Sequence, residues 1–416
     1  MTPNTHTLSN GVRIIHQASP TDVAYCGIAI DAGTRDELEQ EYGMAHFCEH
    51  MMFKGTKKRR AWHIINRMET VGGDLNAYTN KEETVVYAAF VKEHFERATE
   101  LICDVVFNST FPQSEMEKEA EVIIDEIECY NDSPAELIFD RFENLIFHNH
   151  PLGHDILGDA ERIRQYTTED AVSFTKRLYR PDKMVFFVYG NIDFKKIIRT
   201  AEKHFCITAE PSTDNGTPVE KVVEGIATET VPVPHLTIEH RSTHQAHVMI
   251  GCRAFPSKDK KRIALYFLNN IIGGPGMNSR LNIALREHHG LVYNVESSLT
   301  NYTDTGTFAI YFGCDPKDVD RCKKIVRKEL NLLMDKTMSE RQIKAYIKQI
   351  SGQIRVACDN RESYALDMAK SYLHYNKFEG IEDTISLLEE LTPQFIQEVA
   401  AEVFREDNLT TIEFLP

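Results

Sequence analysis

Two histidines and a glutamate interrupt a short apolar stretch, GMAHFCEHMMFKG, at positions His46, Glu49 and His50. In a helix, where each side chain turns by about 100° from the last, the three would share an arc of about 100° on one face. Imidazoles at i and i+4 can converge on one metal ion, and Glu49 would lie beside them, where it could take a proton from metal-bound water. The spacing H-x-x-E-H inverts the H-E-x-x-H zinc motif and predicts a zinc site. The alternative is a pair of solvated or capped histidines.

A zinc ion held by two histidines needs a third protein ligand and an open position for water. Glu126, in the segment EVIIDEIE, is the candidate. Val122, Ile123 and Ile127 indicate that one face of the surrounding helix is buried. Glu119 lies two turns earlier on the same side of that helix. Taken alone, both glutamates could equally be ordinary surface charges on a Glu-rich helix.

Strand and helix patterns alternate around these residues. Asn10 and Gly11 separate THTLS from VRIIHQ, which predicts a hairpin with a type I′ turn. A strand at 23–32, the histidine-bearing helix, which ends at Gly55, and a strand pair around DLNAYTNKEETVVYAAF follow. Three helical stretches and a buried strand, MVFFVYGNID, come next. The first half therefore predicts an α+β domain with layers of helix and sheet.

The length of 416 residues is too great for one ordinary core, since a domain typically holds roughly 100 to 200 residues. Residues 211–236 are rich in Pro, Gly and Thr, which predicts a linker. It would join an N-terminal zinc-binding domain at 1–210 to a C-terminal domain at 237–416. After this linker the strand and helix patterns restart.

The C-terminal half resembles a degenerate copy of the first half. Aligning MAHFCEHMMFK with IALYFLNNIIG places Tyr266, Asn269 and Asn270 where the first copy has its histidines and glutamate. This indicates an internal duplication whose second copy lacks the metal ligands. Convergence of two amphipathic helices is the alternative.

Composition excludes some classes of function. The chain has 42% hydrophobic and 26% charged residues, which is the balance of a water-soluble globular protein. Its formal net charge of -16 would repel a nucleic-acid backbone or an anionic membrane. We therefore expect neither nucleic acid nor membrane as a partner.

Cysteine usage and the absence of apolar segments predict the compartment. The nine cysteines form no C-x-x-C pair, which favours a reducing environment. The opening MTPNTHTLSNGVRII lacks the basic and apolar regions of a secretory signal, and no apolar run approaches the ~20 residues that span a bilayer. We therefore predict a cytoplasmic protein.

In combination, these motifs resemble those of the inverzincin zinc metallopeptidases, the group that includes pitrilysin, insulin-degrading enzyme and mitochondrial processing peptidase. The resemblance covers nearly the whole chain and is greatest to the half-size, processing-peptidase-like branch. It implies two homologous domains, each a mostly antiparallel sheet covered by helices, which form half of a clamshell peptidase. The segments that carry it are TLSNGVRI, AGTRDE, GMAHFCEHMMFKGT, GGDLNAYTNKE, EVIIDEI, HPLGHDILGD, LYRPDKMVFFVYGNID and GPGMNSRLNIALREHHGLVY.

The resemblance also implies a role for each residue of the motif. His46, His50 and Glu126 would bind one Zn²⁺ per chain. Glu49 would be the general base that activates water, and Glu119 would be a carboxylate that orients a metal ligand.

Two further places would contact a peptide substrate. The segment GGDLNAYT would be a sheet edge that holds the peptide as an extra strand, with Asn76 and Ala77 as the contact positions. Arg286 and Tyr293 would hold the substrate and polarise the scissile carbonyl. Without the resemblance, GGDLNAYT is a turn and a strand, Arg286 suits the last turn of a helix ended by Gly290, and Tyr293 is a packing residue.

The implied function is zinc-dependent endopeptidase activity on unfolded peptides or short protein segments in an enclosed chamber. Relatives that act as one chain are roughly twice as long, so this chain would pair as a homodimer. The alternatives are a non-catalytic structural subunit and a helper partner of a two-gene peptidase. Both predict a broken metal motif, whereas the motif is intact here.

Two other features imitate reactive sites. His148, His150 and His154 resemble a metal cluster, but the resemblance gives their segment a structural role. Cys48 would point away from the ligand face, so we predict no nucleophilic or redox role for it.

Overall fold

The computed structural model describes residues 3–205 and 235–416, which form two compact units. The first unit holds residues 3–127, 154–205 and 360–378, and the second holds 128–153, 235–359 and 379–416. Each unit therefore includes one segment from the other half of the chain. The predicted linker at 211–236 lies almost wholly outside the described residues, and the domain bounds 1–210 and 237–416 stay predictions.

The described residues form strands and helices whose bounds are as follows. The strands are β1 (Asn4–Thr7), β2 (Arg13–Gln17), β3 (Val23–Ile30), β4 (Asp74–Thr79), β5 (Thr84–Val91), β6 (Met184–Tyr189), β7 (Leu236–His240), β8 (Ala246–Ala254), β9 (Val292–Asn301), β10 (Gly306–Cys314) and β11 (Thr410–Leu415). The helices are α1 (Met44–Met52), α2 (Ala61–Glu69), α3 (Phe95–Asn108), α4 (Gln113–Asn131), α5 (Pro134–Ile146), α6 (Ala160–Ile163), α7 (Thr168–Leu178), α8 (Phe194–His204), α9 (Lys261–Gly273), α10 (Val319–Asp335), α11 (Glu340–Ala357), α12 (Arg361–Tyr375), α13 (Ile381–Glu389) and α14 (Pro393–Val403). None of these helices is long and apolar enough to cross a membrane.

The first unit is built on a six-stranded sheet in the order β1-β2-β6-β3-β5-β4. Only β2 and β6 pair in parallel, and the other neighbours are antiparallel. Because successive side chains of a strand point to opposite faces, neighbours such as Phe186 and Phe187 enter different cores. Phe186 packs in the core that contains α1 and α3, whereas Phe187 packs in the core that contains α12.

The second unit is built on a five-stranded sheet in the order β7-β11-β8-β10-β9. Here too one pair, β7 and β11, is parallel and the rest are antiparallel. Helices α9, α10 and α14 contribute to the core on one face, and α5 packs on the other. Strand order and directions repeat those of β2-β6-β3-β5-β4 in the first sheet. The α+β class and the two homologous domains, each a mostly antiparallel sheet covered by helices, are confirmed.

Candidate metal centre

Helix α1 begins at a glycine whose backbone conformation disfavours any other residue. Gly43 has a φ of +95°, and a Cβ there would lie 2.8 Å from the carbonyl oxygen of Leu157. The Glu37 carboxylate accepts hydrogen bonds from the N–H groups of Gly43, at 3.0 Å, and Ala45, at 2.8 Å. These bonds occupy N–H groups that the first turn of a helix leaves without a helical partner. The contacts fix where α1 starts and so which way its two histidines point.

Helix α4 brings Glu126 to the two histidines of α1. Nε2 of His46 lies 3.9 Å from Oε2 of Glu126, and Nε2 of His50 lies 3.7 Å from the same oxygen. Donors bound to one zinc ion at tetrahedral angles stand roughly 3.3–3.6 Å apart, and the three ligand atoms here all lie within 4.8 Å of one another. Two imidazole nitrogens and one carboxylate oxygen match a catalytic zinc site, which keeps a fourth position open. The residues therefore fit the metal that the sequence predicts.

Burial favours the protonation state that a histidine ligand needs. Burial of the ring, with a further contribution from His50, lowers the pKa of His46 to about 3. His46 is therefore a neutral imidazole near pH 7, with a lone pair available for a metal.

Glu119 contacts His50, one of the candidate metal ligands, through the ring nitrogen that is farther from Glu126. Nδ1 of His50 lies 3.0 Å from Oε1 of Glu119, and Nζ of Lys54 lies 2.5 Å from Oε2. Burial opposes ionisation of Glu119, but the hydrogen bonds from His50 and Lys54 together hold its pKa below the ordinary value. An ionised Glu119 accepts the Nδ1–H of His50 and leaves Nε2, on the side of Glu126, to bind the metal.

Glu49 lies on α1 with the two histidines. It is not one of the three residues, His46, His50 and Glu126, whose ligand atoms lie within 4.8 Å of one another. Burial raises the pKa of Glu49, in opposition to a hydrogen bond from the Thr79 hydroxyl. Its Oε2 is buried and has no hydrogen-bond partner among the described residues. A buried carboxylate with a free oxygen and a raised pKa has the properties of a general base.

Asn76 and Ala77 lie on β4, the edge strand of the first sheet. They pair with Tyr87 and Val86 of β5, and β4 has no second neighbour among the described strands. Helix α1 packs against β4. The predicted substrate edge and the metal helix are therefore neighbours within the first unit.

Arg286 and Tyr293 lie in the second unit and contact each other. Arg286 belongs to a short π-helical segment, Asn282–Glu287, and Tyr293 belongs to β9. The guanidinium carbon lies 5.6 Å from the centroid of the Tyr293 ring, which is within the range of a cation–π contact. Tyr293 is 82% exposed, so a packing role does not account for it. Their role toward substrate stays a prediction.

The histidine-rich segment has a structural role at His154. Nε2 of His154 lies 3.0 Å from Oε2 of Glu37, the carboxylate that caps α1, and the His154 ring stacks on Tyr42 with centroids 3.9 Å apart. Among the described residues, the one His, Cys, Asp and Glu group close enough to hold a metal is that of His46, His50 and Glu126.

Cys48 has no environment for nucleophilic chemistry. It is fully buried, and burial raises the pKa of its thiol well above the ordinary value. This agrees with the expectation that Cys48 takes no part in the chemistry.

Sequence reasoning missed Glu37 and Thr79 as residues that support the site. Glu37 lies in the segment AGTRDE and His154 in HPLGHDILGD, both of which carry the family resemblance. Because both segments carry the resemblance, their joint presence was a signal that Glu37 has a role near the site. Thr79 likewise lies in GGDLNAYTNKE, which also carries the resemblance, but nothing in that segment indicated a contact with Glu49.

A duplicated α+β fold with an H-x-x-E-H helix and a glutamate from a second helix defines the inverzincin class. The chain belongs to one family of this class, peptidase family M16. Residues 13–160 match Insulinase (Peptidase family M16), and residues 165–350 match the Peptidase M16 inactive domain.

Several bacterial proteins are similar over nearly their full length. An uncharacterized zinc protease of Mycobacterium leprae is 31% identical over 398 residues, covering 95% of this chain and 87% of that protein. The uncharacterized zinc protease YmxG of Bacillus subtilis is 30% identical over 404 residues, covering 97% of this chain and 96% of that protein. The relatives are thus named as zinc proteases of this size.

Solved structures share the fold at lower sequence identity. A protease from Helicobacter pylori has a TM-score of 0.89 and 22% identity and covers 100% of this chain and 99% of its own. A peptidase M16 inactive domain from Pseudomonas fluorescens has a TM-score of 0.87 and 16% identity, with 100% and 98% covered.

Proposed function

We propose that the protein is a zinc-dependent endopeptidase that hydrolyses unfolded peptides or short protein segments in an enclosed chamber. The observation that carries this proposal is the convergence of His46, His50 and Glu126, with Glu49 on the same helix but outside the ligand group. Three residues are thus available to bind a metal, and a fourth is available to act as the base. Metal-assisted hydrolysis of a peptide bond needs both. The zinc protease names of the relatives support it.

Glu49 would carry out both proton transfers of the reaction. A bound Zn²⁺ would supply Lewis-acid chemistry, which lowers the pKa of water and polarises a carbonyl. Glu49 takes a proton from the attacking water and delivers it to the nitrogen of the leaving amine. Its buried position favours holding the proton between these two transfers, because burial disfavours the charged carboxylate.

The edge strand β4 supports the substrate part of the proposal. Its outer main-chain groups, around Asn76 and Ala77, have no strand partner among the described residues. An extended peptide could add there as a further strand, with main-chain hydrogen bonds that read little of the side-chain sequence. Broad sequence tolerance and a requirement for unfolded substrates would follow.

We also propose that the protein acts as a cytoplasmic homodimer and that Arg286 and Tyr293 hold the substrate. The pairing of these two side chains at 5.6 Å supports a joint role. The described cysteines are all free thiols, which is compatible with a reducing compartment.

The decisive experiment compares the zinc-loaded wild type with Glu49→Gln on a peptide library, with cleavage mapped by mass spectrometry. We expect one zinc per chain in both proteins and a fall in turnover of about 10²–10⁴-fold or more in the variant. A chelator should abolish wild-type cleavage, and added zinc should restore it. The variant also reports any contaminating peptidase. Cleavage at the wild-type rate by zinc-loaded Glu49→Gln would overturn the mechanism.

A further inference from the structure

Helix α2 carries two large apolar side chains on its surface. Trp62, the single tryptophan of the chain, is 71% exposed, and Ile65 is 52% exposed. Residues three apart on a helix are neighbours on one face, so these two side chains form one apolar patch. Because the removal of large apolar groups from water is favourable, the Trp62–Ile65 patch is a place where an apolar group of a partner would bind.

The patch lies on the flank of α2 that is turned away from α3. At about 100° per residue, Arg67 lies about 60° to one side of the buried Ile64. Ile65 and Trp62 lie about 100° and about 160° to the other side. Nη2 of Arg67 is 3.4 Å from Oε2 of Glu100, a residue of α3, so the flank that carries Arg67 is the one that meets α3.

The strand order shows what lies beside the patch. Helix α3 packs against β3 and β5, and α2 packs against α3 and β4. Across this face the helices therefore follow the strand order β3-β5-β4, and β4 has no further neighbour among the described strands. A helix with its side chains is roughly 10 Å wide, and neighbouring strands lie about 4.8 Å apart. The patch on α2 therefore overhangs the position that a further strand beside β4 would take.

The direction of α2 places Trp62 toward the end of β4. Nη1 of Arg59, just before α2, lies 2.5 Å from Oδ2 of Asp104 near the end of α3. Arg97, near the start of α3, donates a hydrogen bond of 2.8 Å to the carbonyl of Arg67 near the end of α2. The two helices are therefore antiparallel. Since α3 begins where β5 ends and β5 is antiparallel to β4, the start of α2 lies on the side where β4 ends.

The proposed base lies at the same end of β4. Thr79, the last residue of β4, donates a hydrogen bond to Glu49 on α1. Helices α1 and α2 both contribute side chains to the core on one face of the sheet. The Trp62–Ile65 patch and the candidate metal site therefore border the same stretch of the open edge, on the same face.

We propose that the Trp62–Ile65 patch is a subsite for a large aliphatic or aromatic side chain of the substrate peptide, close to the scissile bond. This inference rests on the proposed function, in which the peptide adds as a strand beside β4. Every second side chain of such a strand points to the face that carries α1 and α2. One of these side chains lies against the patch and leaves water there. The site thus selects an apolar residue at one position of an otherwise tolerated sequence.

The single tryptophan gives a direct measurement of binding, because indole emission moves to shorter wavelength when a bound group displaces water from the ring. The zinc-loaded Glu49→Gln protein is titrated with two matched peptides of Ser, Thr and Gly, one with a central Leu and one with a central Asn. We expect the Leu peptide to shift the emission of Trp62 and to bind about ten-fold more tightly than the Asn peptide. Adding Ile65→Ser, which keeps the tryptophan, should remove most of this difference.

Cleavage by the wild-type protein locates the subsite along the peptide. In a peptide library, Leu and Phe should be enriched at one fixed distance from the cut. Trp62→Ser should lower kcat/KM about ten-fold for the Leu peptide and less than about two-fold for the Asn peptide. His63→Ser is the matched control and should change neither value, since His63 is exposed on the same helix but lies on the flank turned toward α3.

Equal affinity for the two peptides, no binding of either, unchanged emission on binding of the Leu peptide, or an equal loss of kcat/KM for both peptides in Trp62→Ser would each overturn the proposal. A shift of the emission with protein concentration alone would also overturn it, because a second copy of the chain would then cover the patch. If the Leu peptide binds at Trp62 but is not cleaved, the proposed function fails and the apolar subsite stands. If both peptides are cleaved without preference, the subsite fails and the proposed function stands.

Discussion

We predict that Glu119 affects the zinc affinity of the site without binding the metal itself. Its carboxylate receives the Nδ1 side of His50 and also lies beside the ammonium of Lys54. The substitution Glu119→Gln keeps the size of the side chain but removes the charge that makes the imidazole a stronger donor. We expect zinc affinity to fall by about 10–100-fold, measured by competition with a chromophoric chelator.

Glu121→Gln is the control for this prediction. Glu121 lies on the same helix, but its partner is Arg164 at the surface and its side chain is 62% exposed. Its substitution should leave zinc affinity unchanged. If Glu119→Gln binds zinc as tightly as Glu121→Gln does, the contact with His50 is incidental to metal binding.

At the scale of single residues, the sequence predicted that His46 and His50 lie side by side, because helical spacing alone aligns positions 46 and 50. It could not predict Thr79 beside Glu49, because that contact depends on where a strand lies beside α1. The family resemblance supplied Glu126, which spacing alone left as one of several surface glutamates. Local periodicity thus predicts neighbours within an element, and contacts between elements need the fold.

At the scale of elements, the sequence predicted the six strands of the first sheet and helices α1, α3, α4 and α5, but not the partner of α12. The helix lies far along the chain, yet it covers the second face of the first sheet, with Met368 and Ala369 against Val85 and Phe187. An amphipathic pattern shows that a helix buries one face. It does not show which sheet receives that face, so the exchange of α5 and α12 between the halves was not predictable from periodicity.

A buried ionic cluster joins α12 to the first sheet. Glu83 is fully buried, with Oε2 at 2.8 Å from Nε2 of His374 and Oε1 at 2.9 Å from Nζ of Lys370. Burial alone would raise the pKa of Glu83, but His374 and Lys370 together lower it to about 2. Since the pKa in the folded protein is depressed, Glu83 stabilises the fold above its ordinary pKa. That stabilisation is lost as the pH falls from about 4.5 to about 2.

We therefore expect Glu83→Gln to lower the free energy of unfolding by about 3 kcal/mol at pH 7, because it removes the buried carboxylate that pairs with His374 and Lys370. The difference from wild type should shrink as the pH falls from about 4.5 to about 2. Urea denaturation of the metal-free proteins at both ends of this range measures the difference in the free energy of unfolding.

Glu382→Gln, which removes an exposed pair with Arg355, is the control and should lower the free energy of unfolding by at most about 1 kcal/mol. Equal stability of Glu83→Gln and wild type at pH 7 would show that the cluster does not hold α12.

At the scale of the whole molecule, the proposed zinc ligands and the Arg286–Tyr293 pair belong to different compact units. In the proposed homodimer, a complete site combines the zinc-binding half of one chain with the Arg286 and Tyr293 half of its partner. Glu49→Gln chains and chains with Arg286→Ala and Tyr293→Phe should therefore each be inactive as pure dimers. When the two are mixed at equal amounts and exchange subunits, each mixed dimer regains one complete site, so activity should return to about a quarter of the wild-type level.

A mixture of Glu49→Gln with Glu126→Gln is the control, since both defects lie in the zinc-binding half and no combination restores a site. Subunit exchange is verified by mass spectrometry of differently tagged chains. If exchange occurs and the first mixture stays as inactive as the control, the two chains do not share a site, and the pair at Arg286 and Tyr293 acts within its own chain or not at all.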